Sequence, residues 1–462
     1  MYLGLKESGM TLAEAARFMD GTLICADENT RFFGVCTDSR KICAGGLFFA
    51  LVGEKFDGHS FAAATLEAGA VCAVVSREIE GSVPQIIVSD TKKALGALAK
   101  NYYALFPSVT VGITGSVGKT TTKEFIAAVL SEKYNTAKTA GNFNNEIGLP
   151  LTLLSFAPPQ NALALEMGMS ARGEISRLTN IAVPDIGVIT NIGSSHLENL
   201  GTRENIALAK LEITEGMTNG APLIMNGDEP LLKNLKKLKT NNIYVSLIDK
   251  NCEFFAYNIK EAAQTLSFDC TAFGKVITNV TIPTVGRHNV YNALYAIAVG
   301  TLTGMDEDEI RHGLMNFAQC AMRGGVTERG GVKIIEDCYN ASPESMRASL
   351  DTLRHLAGSA RKIAFLGEMR ELGLDSAKMH FSVGEYAAKA GVDILFTFGK
   401  NASEIARGAL SAGLTCESII SIEDTEDIHR AVEKLKNVMK KGDVILFKAS
   451  RALRLERISR EI

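Results

Sequence analysis

The sequence predicts an α/β protein with three domains. These are a small amino-terminal α/β domain, a central domain with a phosphate-binding loop (P-loop) and a mostly parallel sheet, and a Rossmann-like, doubly wound carboxyl-terminal domain. Three observations support this prediction. The chain has 462 residues, enough for roughly two to four domains. A glycine-rich loop follows an apolar, β-branched run at 109–111. From about residue 322, strand and helix patterns alternate regularly.

Composition and charge limit the possible classes of function. Hydrophobic residues make up 46% and charged residues 22% of the chain, which is typical of soluble globular proteins. The net charge of -3 argues against a nucleic-acid or anionic-membrane binder, and no apolar run reaches the length of a membrane span. The nine cysteines include no Cys-x-x-Cys pair, and residues 1–10 lack a secretory pattern. We therefore expect a cytoplasmic protein with reduced thiols, no nucleic-acid partner and no membrane insertion.

Residues 1–106 are expected to form the amino-terminal domain. Apolar runs predict strands at 32–35, 47–52, 71–75 and 85–88. Helical patterns lie at 11–19, 60–68 and 91–103. Pro107 marks the boundary that follows.

Two further domains are expected at 107–321 and 322–462. In the first, buried strands are predicted at 163–166 and 186–190. In the second, strands are predicted at 332–336, 362–366, 394–398, 418–422 and 444–448. Helices are predicted between them at 344–355, 379–390, 403–412 and 428–439. Repeated β-α-β units of this length favour a parallel, doubly wound sheet.

The segment 112–121 has the features of a P-loop and leads into a helix expected at 123–133. Glycines let backbone N–H groups face an anion, and the helix N-terminus adds partial positive charge. Lys119 can reach the β- and γ-phosphates, and the Thr120 hydroxyl can coordinate Mg²⁺. The strict pattern has glycine at position 113, where this chain has Ile113. The residues expected to bind ATP here are Thr114, Gly115, Ser116, Val117, Gly118, Lys119, Thr120 and Thr121.

Polar residues beyond the P-loop supply further candidates. Asn142, Asn144 and Asn145 lie in a glycine-flanked loop, where their amides either bind a ligand or brace a turn. Glu166 ends a predicted strand, at the sheet edge where parallel sheets bind ligands. A carboxylate at that edge is a candidate to ligate a metal or orient water.

The roles of two basic residues are not decided by the sequence pattern alone. His196 ends the loop after the strand at 186–190 and is either a hydrogen-bonded structural residue or a ligand. Because Mg²⁺ prefers oxygen ligands, His196 could equally act through water. Lys210 lies in a helical stretch at 205–213, where the simplest interpretation is a solvated lysine. Metal binding would require its conversion to an anion.

The nucleotide base and ribose also have candidates. Asn289 and Asn292 lie three residues apart, on one face of a predicted helix, where their amides can read the edge of a purine. Arg323 and Asp337 open the last domain, and Asp337 terminates a strand. That position again suits ligand contact.

Taken together, these segments resemble the Mur ligases, ATP-dependent amide-forming enzymes of peptidoglycan precursor synthesis. The resemblance covers essentially the whole chain. Within the family it is greatest to the members that add D-alanyl-D-alanine to a UDP-N-acetylmuramoyl-tripeptide. The supporting motifs are Gly-Asn-Phe-Asn-Asn-Glu-Ile-Gly-Leu-Pro at 141–150, Asp-Cys-Tyr-Asn-Ala-Ser-Pro at 337–343, and Gly-Glu-Met-Arg-Glu-Leu-Gly at 367–373 followed by His380. The segments at 37–40 and 55–59 resemble the family's UDP-binding region.

The resemblance implies roles for individual residues. Lys119, Glu166, His196 and Lys210 would be catalytic. Thr120 and Glu166 would hold Mg²⁺, His196 would serve a second metal site, and Lys210 would be carbamylated by CO₂. Asn289 and Asn292 would meet adenine, while Arg323 and Asp337 would contact phosphate and ribose. The implied substrate-binding residues are Ser39, Arg40, Lys55, Asp57, His59, Asn142, Asn144, Asn145, Asn340, Ser450 and Arg451. Ser342 and Ala449 depart from the family pattern.

The implied reaction activates the tripeptide carboxylate by transfer of the ATP γ-phosphoryl group. The dipeptide amine then attacks the acyl phosphate, with catalysis chiefly by positioning and charge neutralisation. The expected partners are the UDP-muramoyl tripeptide and D-alanyl-D-alanine, and the expected state is a monomer. The alternatives are another Mur-type ligase, a folylpolyglutamate-type ligase or a regulatory P-loop switch. The absence of an Asn-Lys-x-Asp motif disfavours a GTPase.

Overall fold

The computed structural model describes residues 3–4, 9–42, 44–235 and 238–462. Cys43 and most of the segment at 1–10 examined for a secretory signal lie outside these residues. The described chain forms two compact units. The first comprises 1–113, 134–187 and 212–221, and the second comprises 114–133, 188–211 and 222–462.

The amino-terminal part of the first unit contains a six-stranded sheet. Its order is β1-β5-β6-β7-β8-β3, with β5 to β8 parallel and the two outer strands antiparallel to their neighbours. The strands here are β1 (Leu3–Gly4), β2 (Met10–Thr11), β3 (Thr22–Ile24), β4 (Arg31–Phe32), β5 (Gly34–Cys36), β6 (Leu47–Phe49), β7 (Cys72–Val75) and β8 (Gln85–Ile87). The helices are α1 (Leu12–Met19), α2 (Ala62–Glu67) and α3 (Thr91–Tyr103), with a 3₁₀ turn at Gly58–Phe61.

The central part of the chain contributes to both units. Its strands are β9 (Val109–Thr114), β10 (Thr136–Lys138), β11 (Ala162–Glu166), β12 (Ile186–Ile189), β13 (Pro222–Asn226), β14 (Asn241–Ser246), β15 (Phe254–Glu261), β16 (Leu266–Ala272) and β17 (Lys275–Ile282). Its helices are α4 (Lys119–Leu130), α5 (Gly148–Leu154), α6 (Glu174–Ala182), α7 (Leu197–Leu200), α8 (Arg203–Leu211), α9 (Pro230–Lys233), α10 (Asn289–Leu302) and α11 (Glu307–Met315), with a 3₁₀ turn at Glu212–Gly216. In the first unit β10, β11 and β9 pair in parallel. In the second unit β13, β14 and β15 are parallel, whereas β15, β16 and β17 form an antiparallel meander.

The last part of the second unit is a doubly wound sheet with the order β18-β19-β23-β20-β21-β22. Its strands are β18 (Gly325–Arg329), β19 (Val332–Glu336), β20 (Lys362–Gly367), β21 (Ile394–Phe398), β22 (Ile419–Ile422) and β23 (Val444–Lys448). Its helices are α12 (Pro343–Ala357), α13 (Ser376–Lys389), α14 (Ser403–Ser411), α15 (Ile428–Val438) and α16 (Glu456–Ser459), with 3₁₀ turns at Gly373–Asp375, Cys416–Ser418 and Arg451–Leu453. All pairs are parallel except β18 with β19. Two apolar clusters form its core.

The predicted fold class is confirmed, with corrections to individual elements. Helix α4 begins at Lys119 rather than at residue 123, because the P-loop passes directly into its first turn. The antiparallel meander at 254–282 departs from the mostly parallel sheet expected for the central domain. The alternation of buried and exposed residues in β15 and β16 is that of a sheet with one covered face. The division at 106/107 and 321/322 stays a prediction. Within the described ranges, no helix has the length and apolarity needed to cross a membrane.

Candidate active site

The P-loop connects β9 to α4 and depends on two glycines with positive φ. Gly115 has φ +148° and Gly118 has φ +85°. A Cβ on Gly115 would lie 1.8 Å from Oγ1 of Thr190, so no side chain fits there. The loop therefore turns sharply into α4, with backbone N–H groups at the start of the helix as the sequence predicted.

The loop that follows β12 braces the P-loop, a role the sequence analysis did not assign. Asn191 accepts hydrogen bonds from the N–H of Val117 through Oδ1 at 2.9 Å and from the N–H of Ser116 through its carbonyl at 3.1 Å. The N–H of Gly193 donates to Oγ of Ser116 at 2.8 Å. Asn191 and Gly193 lie in the same loop after a strand as His196. Their position in that loop is the feature of the sequence that could have indicated their role.

Lys119 and Thr120 lie in the first turn of α4. Nζ of Lys119 donates to the carbonyl of Gly115 at 2.7 Å, which holds the ammonium at the mouth of the loop. Thr120 is 8% exposed, and its Oγ1 accepts a hydrogen bond from Nη2 of Arg323 at 3.0 Å. The guanidinium of Arg323 also lies 3.8 Å from the ring centre of Tyr339. Arg323 thus brings a cation to the P-loop.

A small cavity adjoins the P-loop. Its volume is about 70 Å³. Its lining includes seven of the predicted ATP-binding residues, Val117, Gly118, Thr121, Asn289, Asn292, Arg323 and Asp337. The structure therefore brings these separate sequence candidates together. Helix α12 supplies Ser345, Ala348, Ser349 and Thr352 to the same cavity.

The two asparagine amides of α10 bond to each other and to their neighbours. Nδ2 of Asn292 donates to Oδ1 of Asn289 at 2.8 Å, and Oδ1 of Asn292 accepts from Thr122 at 2.9 Å. Nδ2 of Asn289 donates to the carbonyl of Val285 at 2.7 Å. The predicted common helix face is confirmed, and the amides also brace α10 against α4.

Asp337 follows β19 and forms an ion pair with Lys448, in which the lysine side chain is buried and the aspartate side chain is 22% exposed. Its Oδ2 lies 2.6 Å from Nζ of Lys448 and accepts from the hydroxyl of Ser349. Burial alone would raise the pKa of Asp337, but the ammonium of Lys448 outweighs it and the net pKa is lowered. His288 also lines the cavity, and burial lowers the pKa of its imidazole. Lys448 and His288 were missed as members of this site.

Lys210 lies on α8 and is 1% exposed, so its interpretation as a solvated helix lysine is wrong. Burial lowers its pKa well below the usual lysine value, and the positive charge of Lys119 lowers it further. In the part of the chain that the structure describes, Lys210 has no carboxylate partner. The side chain is therefore held toward its neutral amine form, which is the nucleophilic form that reacts with CO₂.

Glu166 ends β11 and is 3% exposed. Its Oε1 accepts from Nδ2 of Asn144 at 2.9 Å, and its N–H donates to Oγ1 of Thr139. Asn145 instead braces a turn, since its Oδ1 accepts from the N–H groups of Ile147 and Gly148. Asn145 therefore braces a turn, and ligand binding by Asn142 and Asn144 stays a prediction.

His196 contacts the last part of the chain. Its Nδ1 lies 2.5 Å from Oε2 of Glu371, and this contact lowers the pKa of Glu371. The segment around Glu371 lines a cavity of about 920 Å³ together with α7. Most of its charged lining is acidic. The carboxylates are Glu198, Glu368, Glu371 and Asp375, and the cation is Arg370.

A second large cavity, of about 390 Å³, lies in the first unit. It brings Thr37, Asp38 and Lys41, from the segment after β5, together with Asn142 and Asn145. Bonds from Arg40 hold the pKa of Asp38 at about 2. Ser39, Arg40 and Lys55 do not line this cavity.

Asp57 and His59 form a separate network in the first unit. Oδ1 of Asp57 lies 2.6 Å from Nδ1 of His59, and Oδ2 lies 2.6 Å from Arg77. Bonds from Arg77 and His59 lower the pKa of Asp57. Nε2 of His59 accepts from the N–H of Ser76. This network fixes the turn before α2.

The carboxyl-terminal candidates have mixed surroundings. Oδ1 of Asn340 accepts from the N–H of Ala341, and Oγ of Ser450 accepts from the N–H of Arg370 in the large acidic cavity. Arg451 pairs with Glu456. Ser342 is the N-cap of α12, a position for which serine is well suited. Ala449 is fully buried.

Comparison with known proteins agrees with this geometry. Residues 113–300 match the Mur ligase middle domain, 322–451 the Mur ligase glutamate ligase domain, and 31–103 the Mur ligase family catalytic domain. The chain therefore belongs to the Mur ligase family.

Two relatives within that family share one named activity. The UDP-N-acetylmuramoyl-tripeptide--D-alanyl-D-alanine ligase of Bacillus subtilis is 39% identical over 98% of each chain. The ligase of the same name from Escherichia coli is 34% identical, again over 98% of each chain.

Solved structures of MurF are also similar. MurF from Acinetobacter baumannii has a TM-score of 0.88 and 28% identity, covering 98% of each chain. MurF ligase from Thermotoga maritima in complex with ADP has a TM-score of 0.84 and 31% identity, covering 94% of this chain and 97% of that chain. The family resemblance inferred from the motifs is confirmed.

Proposed function

We propose that this chain is an ATP-dependent ligase that joins D-alanyl-D-alanine to UDP-N-acetylmuramoyl-tripeptide through an acyl phosphate. The observation that carries the proposal is the P-loop with Lys119 at its mouth, close enough to the buried Lys210 to lower its pKa, in a chain whose relatives bear that activity. The product would be an amide of the peptidoglycan precursor, with release of ADP and phosphate.

The first step makes the carboxyl group reactive. A carboxylate oxygen attacks the γ-phosphorus of ATP, and the bond from that phosphorus to the β–γ bridging oxygen breaks, so that ADP leaves. Lys119 and the N–H groups of the P-loop neutralise charge on the transferring phosphoryl group. Arg323, already bonded to Thr120, supplies a second cation at the same loop.

The second step forms the amide. The uncharged amine of D-alanyl-D-alanine attacks the acyl carbon, and a tetrahedral intermediate collapses with loss of phosphate. The ammonium of the incoming dipeptide first loses one proton to solvent, and the second proton lost from the nitrogen leaves with the released phosphate. We place the dipeptide in the acidic cavity of about 920 Å³, because its carboxylates attract the ammonium group of an incoming dipeptide. The UDP group belongs in the cavity of about 390 Å³ in the first unit.

The residues of the second unit fit a magnesium ion. Thr120 offers a hydroxyl oxygen, and a carbamate on Lys210 would offer the anionic oxygens that Mg²⁺ prefers. Bound there, the ion would neutralise phosphate charge. Among the described residues, no three His, Cys, Asp or Glu side chains are grouped so that they could hold a metal ion. A carbamate on Lys210 would add an anionic ligand to those that the side chains offer. The assignments of Glu166 and His196 to metal sites stay predictions.

The remaining organisation follows from the same proposal. Residues 1–106 would bind the UDP handle, 107–321 would bind ATP and 322–462 would bind the dipeptide. The protein would act as a cytoplasmic monomer on soluble substrates.

An assay of ADP formation tests the proposal. We expect ADP to form only when ATP, UDP-N-acetylmuramoyl-tripeptide and D-alanyl-D-alanine are all present, with the UDP-muramoyl pentapeptide as product. ADP formation that needed folate and glutamate instead would identify a folylpolyglutamate-type ligase. Hydrolysis independent of both acceptor and amine would identify a P-loop switch.

A further inference from the structure

A receptor for a carboxylate lies beside the P-loop, in the loop after β12. Its donors both belong to Ser194, which is 6% exposed. The N–H of Ser194 donates to Oε1 of Glu344 at 3.1 Å, and its hydroxyl donates to the same oxygen at 2.7 Å. Hydrogen bonds to an ionised oxygen are stronger than those between neutral groups. Ser194 therefore holds one carboxylate oxygen of Glu344 with two donors.

The receptor adjoins the position where phosphoryl transfer would occur. Gly193, the residue before Ser194, donates its N–H to Oγ of Ser116 in the P-loop at 2.8 Å. A Cβ built on Gly193 would lie 3.1 Å from Oε2 of Glu344 and 3.2 Å from Cβ of Ser116. The carboxylate of Glu344 thus packs against the glycine that touches the P-loop.

Glu344 is an incompletely satisfied occupant of this receptor. It lies in the first turn of α12, and its Oε2 is buried but accepts no hydrogen bond from any residue that the structure describes. A buried anionic oxygen without a donor raises the free energy of the state that contains it. A ligand whose second oxygen is better satisfied would displace Glu344 readily.

We propose that Ser194 binds the reacting carboxylate of the muramoyl tripeptide, and that Glu344 occupies this receptor until the substrate arrives. This inference rests on the proposed function and adds a substrate-positioning residue and an internal competitor to it. Ser194 holds one carboxylate oxygen and leaves the other to attack the γ-phosphorus. Glu344 reduces the fraction of molecules competent to bind the tripeptide, which raises the apparent KM for that substrate.

Steady-state kinetics of Glu344→Gln test the competition. Glutamine keeps the size of the side chain but removes its charge, which weakens its bonds to Ser194. We expect the KM for the UDP-muramoyl tripeptide to fall about three- to tenfold, with smaller changes in the KM values for ATP and for D-alanyl-D-alanine. Glu433→Gln, on the exposed surface of α15, is the matched control and should change none of these constants.

Ser194→Ala tests the receptor itself. Loss of the hydroxyl donor should raise the KM for the UDP-muramoyl tripeptide about tenfold. In the double variant with Glu344→Gln, the improvement seen for Glu344→Gln alone should disappear, because both changes act on one contact. Thermal melts of all variants establish that each is folded under the assay conditions.

Three results would overturn the inference. In the first, Glu344→Gln lowers the KM for ATP but not for the tripeptide, so the competitor is nucleotide phosphate. In the second, Glu344→Gln lowers the melting temperature and leaves every KM unchanged, so the contact is only structural. In the third, the effects of Glu344→Gln and Ser194→Ala add independently. Failure of the proposed function is distinguishable, because the unmodified protein would then form no ADP with these substrates.

Discussion

Replacing Lys210 by methionine should separate the stability of the protein from its activity. Lys210 is buried on α8 with no carboxylate partner in the described chain, so the folded state bears the cost of desolvating an amine. Methionine has a similar length and no polar group, so it should preserve the packing around α8. We expect Lys210→Met to be more stable than the unmodified protein and nearly inactive.

The magnitude follows from the burial. Leaving a buried polar group without a full set of partners costs about 1–3 kcal/mol, so the free energy of unfolding should rise by about that amount in CO₂-free buffer at neutral pH. Carbon dioxide must be excluded because carbamylation would change the charge of the group being tested. Leu208→Met, at an exposed position of the same helix, is the control and should stay within about 0.5 kcal/mol.

The pH dependence gives a sharper signature. Since burial lowers the pKa of Lys210, the unfolded state binds more protons than the folded state between the lowered pKa and the ordinary lysine value of about 10.4. The stability of the unmodified protein therefore rises with pH across that window. The gain in free energy of unfolding from Lys210→Met should be greatest at the lower end of this pH range. It should become smaller as pH approaches about 10.

Unfolding in urea, monitored from pH 6 to pH 10, measures both effects, and ADP formation measures the activity. Lys210→Ala should also be impaired and partly recover activity when a short carboxylic acid is added. The reasoning is refuted if Lys210→Met is destabilised with an unchanged pH slope. Full activity of Lys210→Ala would refute the carbamate.

Three further predictions concern the P-loop and the cavity beside it. Lys119→Ala should lower turnover by about 10²-fold or more, because it removes a cation from the transferring phosphoryl group, and near-normal ADP formation would contradict this. Asp337→Asn leaves the buried ammonium of Lys448 without its carboxylate partner and should cost about 3–5 kcal/mol in denaturant unfolding. Because the pKa of Asp337 is lowered in the folded state, its contribution to stability should be lost as pH falls toward that pKa, and an acid-insensitive difference between the two proteins would argue against the pairing. Asn292→Ala removes the acceptor for Thr122 and should lower stability by about 1–3 kcal/mol while raising the KM for ATP, whereas an effect on only one quantity would separate bracing from nucleotide contact.

The fold was largely predictable because its strands and helices carry strong local patterns. The alternation from β19 to β23 was readable since each parallel strand is apolar and each helix has one apolar stripe. The antiparallel strand β18 and the meander of β15 to β17 were missed. Their strands are half-exposed and carry fewer consecutive apolar residues, so the apolar pattern that marks the buried parallel strands is weak in them.

For the site as well, the features that lie within one segment could be predicted, and those that depend on tertiary contacts could not. The P-loop was readable because one segment carries the turn, the cation and the hydroxyl. The burial of Lys210 could not be predicted, because the sequence pattern of α8 alone is compatible with a solvated lysine. The contact of Ser194 with Glu344 joins residues 150 positions apart, so no local motif predicts it. Chain order likewise gave no sign that Lys448 would pair with Asp337.

The transfer of oxygen during turnover tests the central claim most directly. The tripeptide carboxyl group is labelled with heavy oxygen, and the released phosphate is analysed by mass spectrometry after reaction with ATP and D-alanyl-D-alanine. Activation as an acyl phosphate predicts one labelled oxygen in each phosphate released, because the bridging oxygen leaves with phosphorus when the amine attacks. Unlabelled phosphate accompanied by normal amide formation would contradict the account.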